Sequence, residues 1–361
     1  MKLNAEIAIV GGGLSGLALA DRLQRAGTAY TLLEARGRLG GRILSTVIDG
    51  AAFDLGPAWF WPVQSRMAGL VDRLRLDVFD QFSDGEIVAE DHLGRVHRNA
   101  GFASMQGSCR IDGGMGRLTS GLANNLPKDR VTLSVTVTSL THESNGIVVG
   151  VDCDGQARRI RANQVVLALP PRIAAATIAF SPELPVTVCR ALAAIPTWMA
   201  GQAKILAVYD RPYWRDAGFS GDAMSHRGPM VEIHDASPAR GGPYALFGFL
   251  GTPPGSRNRY RDETLAAARE QLGRLFGTEM RNPKYMIFQD WSEDMLTATP
   301  ADHVPSGHDG SPPRPHALDG LWDGRLLFGG SEAASQFGGY LEGALEAAED
   351  VAQRLIAKSR V

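Results

Sequence analysis

Residues 6–27 read EIAIVGGGLSGLALADRLQRAG, and three glycines, Gly11, Gly13 and Gly16, mark the passage from an apolar run to a helical period. EIAIV predicts a short buried strand, and LSGLALADRLQRAG predicts a helix closed by Gly27. AYTLLE, residues 29–34, predicts a second buried strand ending in Glu34, about 20 residues beyond the glycines. Strand, turn, helix and strand make a βαβ unit in which each glycine has a task. Gly11 permits the tight turn, Gly13 lets backbone N–H groups approach a pyrophosphate at the helix N-terminus, and Gly16 lets helix and strand pack closely. Leu14 and Ser15 complete that loop. Glu34 is placed to accept hydrogen bonds from a ribose diol. A dinucleotide site is expected, and the unit alone does not choose between a nicotinamide and a flavin.

The 361 residues are long for one domain and suggest two, with enough apolar residues for a sizeable core. Lys and Arg number 37 against 39 Asp and Glu, which leaves no electrostatic footprint of the kind nucleic acid or an anionic membrane demands. Small-molecule chemistry is expected instead. Cys109, Cys153 and Cys189 follow no CxxC or metal-ligand spacing, which argues for a reducing compartment and against a disulfide framework or a metal site. No stretch approaches the ~20 apolar residues of a membrane span. The apolar residues 7–19 are broken by glycines and lack a signal peptide's cleavage region. A soluble cytoplasmic protein is expected, and its oligomeric state is not legible.

Beyond Glu34 the chain continues EARGRLGGR, residues 34–42, adding Ala35, Arg36, the pair Gly40 and Gly41, and Arg42. This continuation resembles the flavin-dependent amine oxidase family, whose fingerprint runs from the ribose-binding acid to a GGR. The resemblance implies an α/β fold: a Rossmann-type FAD-binding domain (GR2-like) and a second α+β substrate domain, with their segments interleaved. It lays Arg42 along the pyrophosphate, a role that suits a guanidinium fork beside two phosphates; read alone, Arg42 is a surface arginine after a turn.

DLGPAWFWPVQSR, residues 54–66, resembles the family segment that passes beside the flavin ring, which places Gly56, Pro57, Ala58 and Trp59 there. GGMGRL, 113–118, resembles the turn where the chain re-enters the cofactor domain. VTLSVTVTSL, 131–140, alternates as a strand should, and by resemblance the backbone of Val137 meets the adenine. VVLALPPR, 165–172, resembles the family strand that ends in a proline pair. The most extensive match is LLFGGSEAASQFGGYLEGALEAAEDVAQRL, 326–355. It implies that Gly330, Ser331 and Glu332 sit near the ribityl chain, and that Gly339, Tyr340 and Leu341 bring backbone to the flavin. A helix starting there aims its positive end at the O2 side of the ring. On this pattern residues 1–61, 106–172 and 318–361 form the FAD-binding domain, and 62–105 and 173–317 form the substrate domain. GHDGSPPRPHALDG, 307–320, reads as an irregular surface connection.

In AGQAKILAVYDRPYW, 200–214, Lys204 begins an alternating apolar strand and matches the family's lysine that holds a water near flavin N5. An ammonium there assists reoxidation by O2 through charge stabilisation. Trp291, in FQDWSEDMLTATPAD, matches the tryptophan before the family's substrate-lining segment. Tyr340 corresponds to one wall of an aromatic cage that brackets a neutral amine. In monoamine oxidases the opposing wall follows the matching tryptophan by about ten residues. The equivalent stretch here, ATPAD, has no aromatic, and the neighbouring attachment cysteine is also absent. Noncovalent FAD is therefore expected, with Trp61, beside Trp59 and Phe60, as the candidate second wall.

MVEIHDASP, 230–238, gathers Glu232, His234 and Asp235, read as a strand followed by an Asx turn, with Glu232 and His234 on one face. Neither HExxH nor GxSxG occurs, so zinc hydrolysis and serine chemistry lack support. Glu342 is read as structural. The expected activity is oxidation of an amine to an imine, with O2 as acceptor and H2O2 as product; small amines and O2 are the expected partners. Desaturation of a nonpolar substrate, as in related phytoene or protoporphyrinogen oxidases, stays open. So does a flavin-binding protein with little oxidase activity. An amino acid oxidase needs an arginine facing the substrate carboxylate, and Arg66 is the positional candidate.

Overall fold

The strand Asn4–Val10 runs parallel to Tyr30–Leu33 on one side and to Gln156–Leu167 on the other in the computed structural model, which describes residues 4–304 and 315–358. Val131–Thr132 extends this set beyond Tyr30–Leu33, and Leu326–Phe328 pairs in parallel with the end of the long strand at Leu167. Ile7 and Ile9 point into one core with Leu17, Leu23 and Leu355, while Ala8 and Val10 point into a second with Leu167 and Phe328. Burial on both faces explains the continuous apolar run of EIAIV. The helix Leu14–Arg25 ends as its sequence predicts: Gly27, at φ +72°, donates to Gln24 O, and Thr28 donates to Leu23 O. That double bond is the Schellman closure, and glycine suits its left-handed position.

The segment 131–140 departs from the single strand its alternation suggests. It forms Val131–Thr132 and Val135–Glu143, broken at Ser134, whose φ is +56°. The break wraps the backbone around Glu34 and Arg36: Glu34 N–H donates to Thr132 O, Ser134 N–H to Arg36 O and Val135 N–H to Glu34 O. Val135–Glu143 then joins Gly146–Cys153 and Gln156–Leu167 as an antiparallel meander.

A second sheet orders its strands Tyr285–Asp290, Ala203–Tyr209, Tyr244–Leu250, Met230–Asp235, Phe219–Ser225, Glu86–Glu90 and Val96–Arg98. Ala203–Tyr209 is buried at every residue rather than at alternate ones. Ile205, Ala207 and Tyr209 pack with Leu272 and Phe276 of the helix Arg261–Phe276, while Leu206 and Val208 pack with Phe53, Leu55 and Ala58. An interior strand covered on both faces has no solvent side to mark with polar residues.

Ala179–Ser181 pairs with Val135–Glu143 of the first sheet, and Val188 and Leu192 pack in that sheet's second core. Met67 and Leu70 pack in its first core. This packing argues for drawing the second domain more narrowly than 62–105 and 173–317. Of the connection 307–320, residues 307–314 lie outside the described residues, and His316–Leu318 form one 3₁₀ turn.

Glu342, 1 % exposed, caps the helix Ser65–Arg73 from across the fold: its carboxylate accepts from Arg66 N–H at 3.0 Å and Met67 N–H at 2.9 Å. The helix has no side-chain cap from its own N-cap residue, Gln64. Glu342→Ala is expected to lower stability by about 1–3 kcal/mol, because it leaves helix donors unsatisfied and removes a partner of Arg66. Thermal unfolding of the flavin-loaded protein measures the loss, with Glu349→Ala, whose carboxylate is partly exposed, expected to lose less.

Candidate functional site

Two glycine turns back one another at the carboxyl end of Asn4–Val10. Gly11 takes φ +109° and donates to Leu33 O at 2.8 Å; Gly40, at φ +109°, donates to Gly12 O at 2.9 Å. A Cβ on Gly16 would overlap the Gly11 carbonyl oxygen, and one on Gly41 would lie 3.2 Å from Gly13 Cα. Only glycine permits this approach. The helix Leu14–Arg25 starts after Gly13 with no side-chain cap and no acid in its first turn, which leaves its first N–H groups suited to an anion. Leu14 is buried beneath, and the Ser15 hydroxyl ties the loop to Gly329 O.

Glu34, 3 % exposed, accepts from Gly12 N–H at 2.6 Å through one oxygen and from Arg36 N–H at 2.8 Å through the other. Each oxygen keeps a lone pair for a diol. Ala35 lies between them, half-buried, and Val137 is on the strand that follows the wrap. Arg36 turns its guanidinium to Asp294, 2.8 Å from both oxygens, and to Thr297 Oγ1 at 3.0 Å. Arg42 reaches Ser331 Oγ at 2.8 Å and Glu332 Oε1 at 2.6 Å, which brings two of the sequence-predicted segments together. A Cβ on Gly56 would overlap Arg42 O, and one on Gly330 would lie 2.7 Å from Leu169 O. Gly339, at φ +83°, donates to Ser331 O, and Tyr340 donates to Phe337 O immediately before the helix Leu341–Lys358. An uncapped helix start, a buried carboxylate at the strand end and close-packed glycine turns suit a dinucleotide; the residues present fit FAD.

Lys204 lies 4 % exposed on the face of the second sheet that looks toward residues 53–58. Its Nζ donates to Gly56 O at 2.7 Å and Asp54 O at 3.4 Å, and sits 4.0 Å from the Phe247 ring centroid and 5.3 Å from that of Phe249. Burial lowers its ammonium from 10.5 to about 7; the Asp54 carboxylate opposes that shift and the Arg110 guanidinium adds to it. Trp291, 6 % exposed, donates from Nε1 to Leu55 O at 3.1 Å. Lys204 and Trp291 thus hold three successive carbonyls of the 54–56 segment. Pro57 and Ala58 follow, and Trp59 packs on Phe247, Phe249 and His234.

His234 bonds Asp222 Oδ1 at 2.7 Å and Glu232 Oε1 at 2.9 Å, so the predicted shared face is real. Burial works against its imidazolium, but the two carboxylates raise it overall. Asp235 accepts from Trp214, Arg215 and Ser237 N–H, the last closing the predicted Asx turn. Arg66 is engaged by Glu349 and Glu342, which argues against its serving a substrate carboxylate.

Tyr340 packs on Trp198, with ring centroids 5.0 Å apart and planes 30° apart. Trp61, the sequence candidate for that place, enters no ring contact among the described residues; its N–H is taken by Gln64 Oε1 in the turn before Ser65. The sequence reading missed Trp198. Its signal was an aromatic in IPTWMAGQAK, six residues before Lys204. Among the described residues no group of three or more His, Cys, Asp or Glu is placed to hold a metal, and no helix is long and apolar enough to cross a membrane.

A family model described as flavin containing amine oxidoreductase matches residues 14–101 and 96–356. The chain is 22 % identical over 457 aligned positions to a probable flavin-containing monoamine oxidase A of Dictyostelium discoideum, covering 97 % of each chain. That alignment is longer than this chain, so the relative carries segments that are absent here. A putrescine oxidase structure, the wild type bound to putrescine, superposes with a TM-score of 0.82 at 22 % identity, over 99 % of this chain and 100 % of that one. Cyclohexylamine oxidase from Brevibacterium oxydans superposes with a TM-score of 0.83 at 19 % identity, over the same shares. These superpositions establish the fold, and the family match spans nearly the whole chain: it belongs to the flavin containing amine oxidoreductases, as an enzyme acting on amines with FAD as its cofactor.

Proposed function

We propose that the chain oxidises the C–N bond of a small amine to an imine, with dioxygen as electron acceptor and hydrogen peroxide as product, and that it holds FAD noncovalently. The observation that carries this reading is Lys204, a buried amine on the carbonyls of Asp54 and Gly56 whose proton is balanced near neutrality. When bound, FAD would supply the two-electron acceptor for the amine's α C–H bond.

The chain's residues supply binding, orientation and charge. The first turn of Leu14–Arg25 would hold the pyrophosphate with its N–H groups, and Glu34 would hold the ribose. Gly339 and Leu341 bring backbone to the flavin ring, as the resemblance implies. Burial raises the Tyr340 hydroxyl, so it stays a neutral phenol whose ring face meets the amine. No protein base is needed, because a neutral amine already carries its electron pair. Lys204 provides a proton or positive charge where dioxygen is reduced. Residues 294–304 hold no cysteine, which supports a noncovalent flavin. A cytoplasmic location fits the balanced charge and unpaired cysteines.

Peroxide release measured over a panel containing a linear monoamine, a cyclic amine and a diamine tests the proposal. Peroxide with at least one amine is expected. Turnover only with a dye acceptor would make the protein a dehydrogenase, and no turnover with either acceptor would remove the oxidase reading.

A further inference from the structure

An ammonium has three N–H donors, and Lys204 directs two of them to the carbonyls of Gly56, at 2.7 Å, and Asp54, at 3.4 Å. The remaining neighbour of Nζ is a ring face: the Phe247 centroid lies 4.0 Å away, with Phe249 at 5.3 Å and Trp59 at 6.0 Å. Phe247 is fixed in that place. It is 2 % exposed on the interior strand Tyr244–Leu250, opposite Leu206 on one side and His234 on the other. Trp59 packs on it with centroids 5.2 Å apart, and Phe249 stands edge-on to it at 5.4 Å. The Trp59 indole is itself anchored, since Nε1 donates to Gln81 Oε1 at 2.7 Å and Gln81 Nε2 donates to Asp235 O at 2.9 Å.

These surroundings distinguish the two forms of the lysine. A charged nitrogen is attracted by both carbonyl oxygens and by the negative face of the ring, most strongly where water is excluded. A neutral amine has only two N–H groups for the three neighbours, and its lone pair is repelled by each of them. Burial acts the other way and brings the ammonium to about 7, the Asp54 carboxylate opposing that shift and the Arg110 guanidinium adding to it. Among the neighbouring strands, Tyr285–Asp290 sets the neutral Gln289 opposite Lys204. Met230–Asp235 carries His234, which is paired with Asp222 and Glu232 and packs on Phe247 and Trp59.

We propose that Phe247 is a positioning residue for Lys204: its ring face holds the ammonium on the carbonyls of Asp54 and Gly56 and so keeps positive charge beside that segment. The reaction this charge serves, reduction of dioxygen, rests on the oxidase reading above.

The test compares Phe247→3,4,5-trifluorophenylalanine, which keeps the shape of the ring and weakens its negative face, with Phe247→Leu, which removes the ring. Each is made with Lys204 and with Lys204→Met, and all are flavin-loaded at the same excess of FAD. The difference in unfolding free energy between a lysine protein and its Lys204→Met counterpart cancels the groups they share. That difference begins to rise with pH where folded Lys204 loses its proton. With Phe247 in place the rise is expected to start near pH 7. It is expected to start about one pH unit lower in Phe247→Leu and about half a unit lower with the fluorinated ring. The pH at which flavin reoxidation declines is expected to move by the same amounts. A ring that only fills space would change stability at every pH and leave the start of the rise in place. A rise that still starts near pH 7 with the fluorinated ring overturns the proposal, whether or not Phe247→Leu folds. Should no amine be oxidised, the oxidase reading falls, while the stability titration, which needs no turnover, still decides whether the ring holds Lys204.

Discussion

Gly13→Ala is expected to lose the flavin and keep the fold. Gly13 has an ordinary φ of −75°, and a Cβ added there would meet only Gly41 Cα, at 4.0 Å. The protein itself tolerates the methyl group. The first turn of Leu14–Arg25 has no other cap, so an anion on those N–H groups must pass close to that Cβ. Flavin affinity is expected to fall about a hundredfold, some 2.8 kcal/mol, with thermal unfolding of the flavin-free protein moved by less than about 0.5 kcal/mol. Gly16→Ala provides the contrast. Its Cβ would overlap the Gly11 carbonyl oxygen, so both flavin-free stability and flavin content are expected to drop. Flavin retained in Gly13→Ala would place the pyrophosphate elsewhere.

Lys204→Met is expected to slow flavin reoxidation by dioxygen about 10²-fold or more, while amine-driven bleaching changes less than tenfold. Stopped-flow measurement of the two half-reactions separates them. Burial brings the Lys204 ammonium to about 7, so in the unaltered protein reoxidation is expected to decline as pH rises through that value, and in the variant the decline disappears. Stability moves the other way. Between about 7 and 10.5 the unfolded chain carries a proton on Lys204 that the folded chain does not, so this group makes stability rise with pH across that window. Below about 7 both states are protonated and the full penalty of the buried charge, a few kcal/mol, is present. Methionine removes the penalty. The variant is therefore expected to be more stable at pH 6 and less active, the pattern of a residue held for chemistry rather than for folding.

The βαβ unit was legible because it is built from neighbours in the chain: Gly11, Gly16 and Gly27 each answer a local steric demand that a sequence displays. The break at Ser134 was not, because its left-handed φ serves bonds to Glu34 and Arg36, about a hundred residues away. Burial on both faces of Ala203–Tyr209 also depends on its neighbours, the helix Arg261–Phe276 and residues 53–58, rather than on its own pattern. The ring opposite Tyr340 was the least legible feature. Trp61 lies in the segment that resembles the flavin-facing stretch, and that position is its sequence signal. Trp198 reaches Tyr340 through a turn clamped by Asp302, Arg42 and Arg257, three residues from three distant segments. Glu342 was readable as a structural carboxylate, but the helix it caps, Ser65–Arg73, appears only once the chain is folded.

The most direct measurement mixes the flavin-loaded protein with a small amine in the absence of oxygen, follows the visible flavin absorption, and then admits air. Bleaching on mixing, recovery on aeration and about one peroxide per flavin is the predicted result. A protein that binds flavin fully, yet whose absorption no primary, cyclic or bifunctional amine bleaches, would contradict the account.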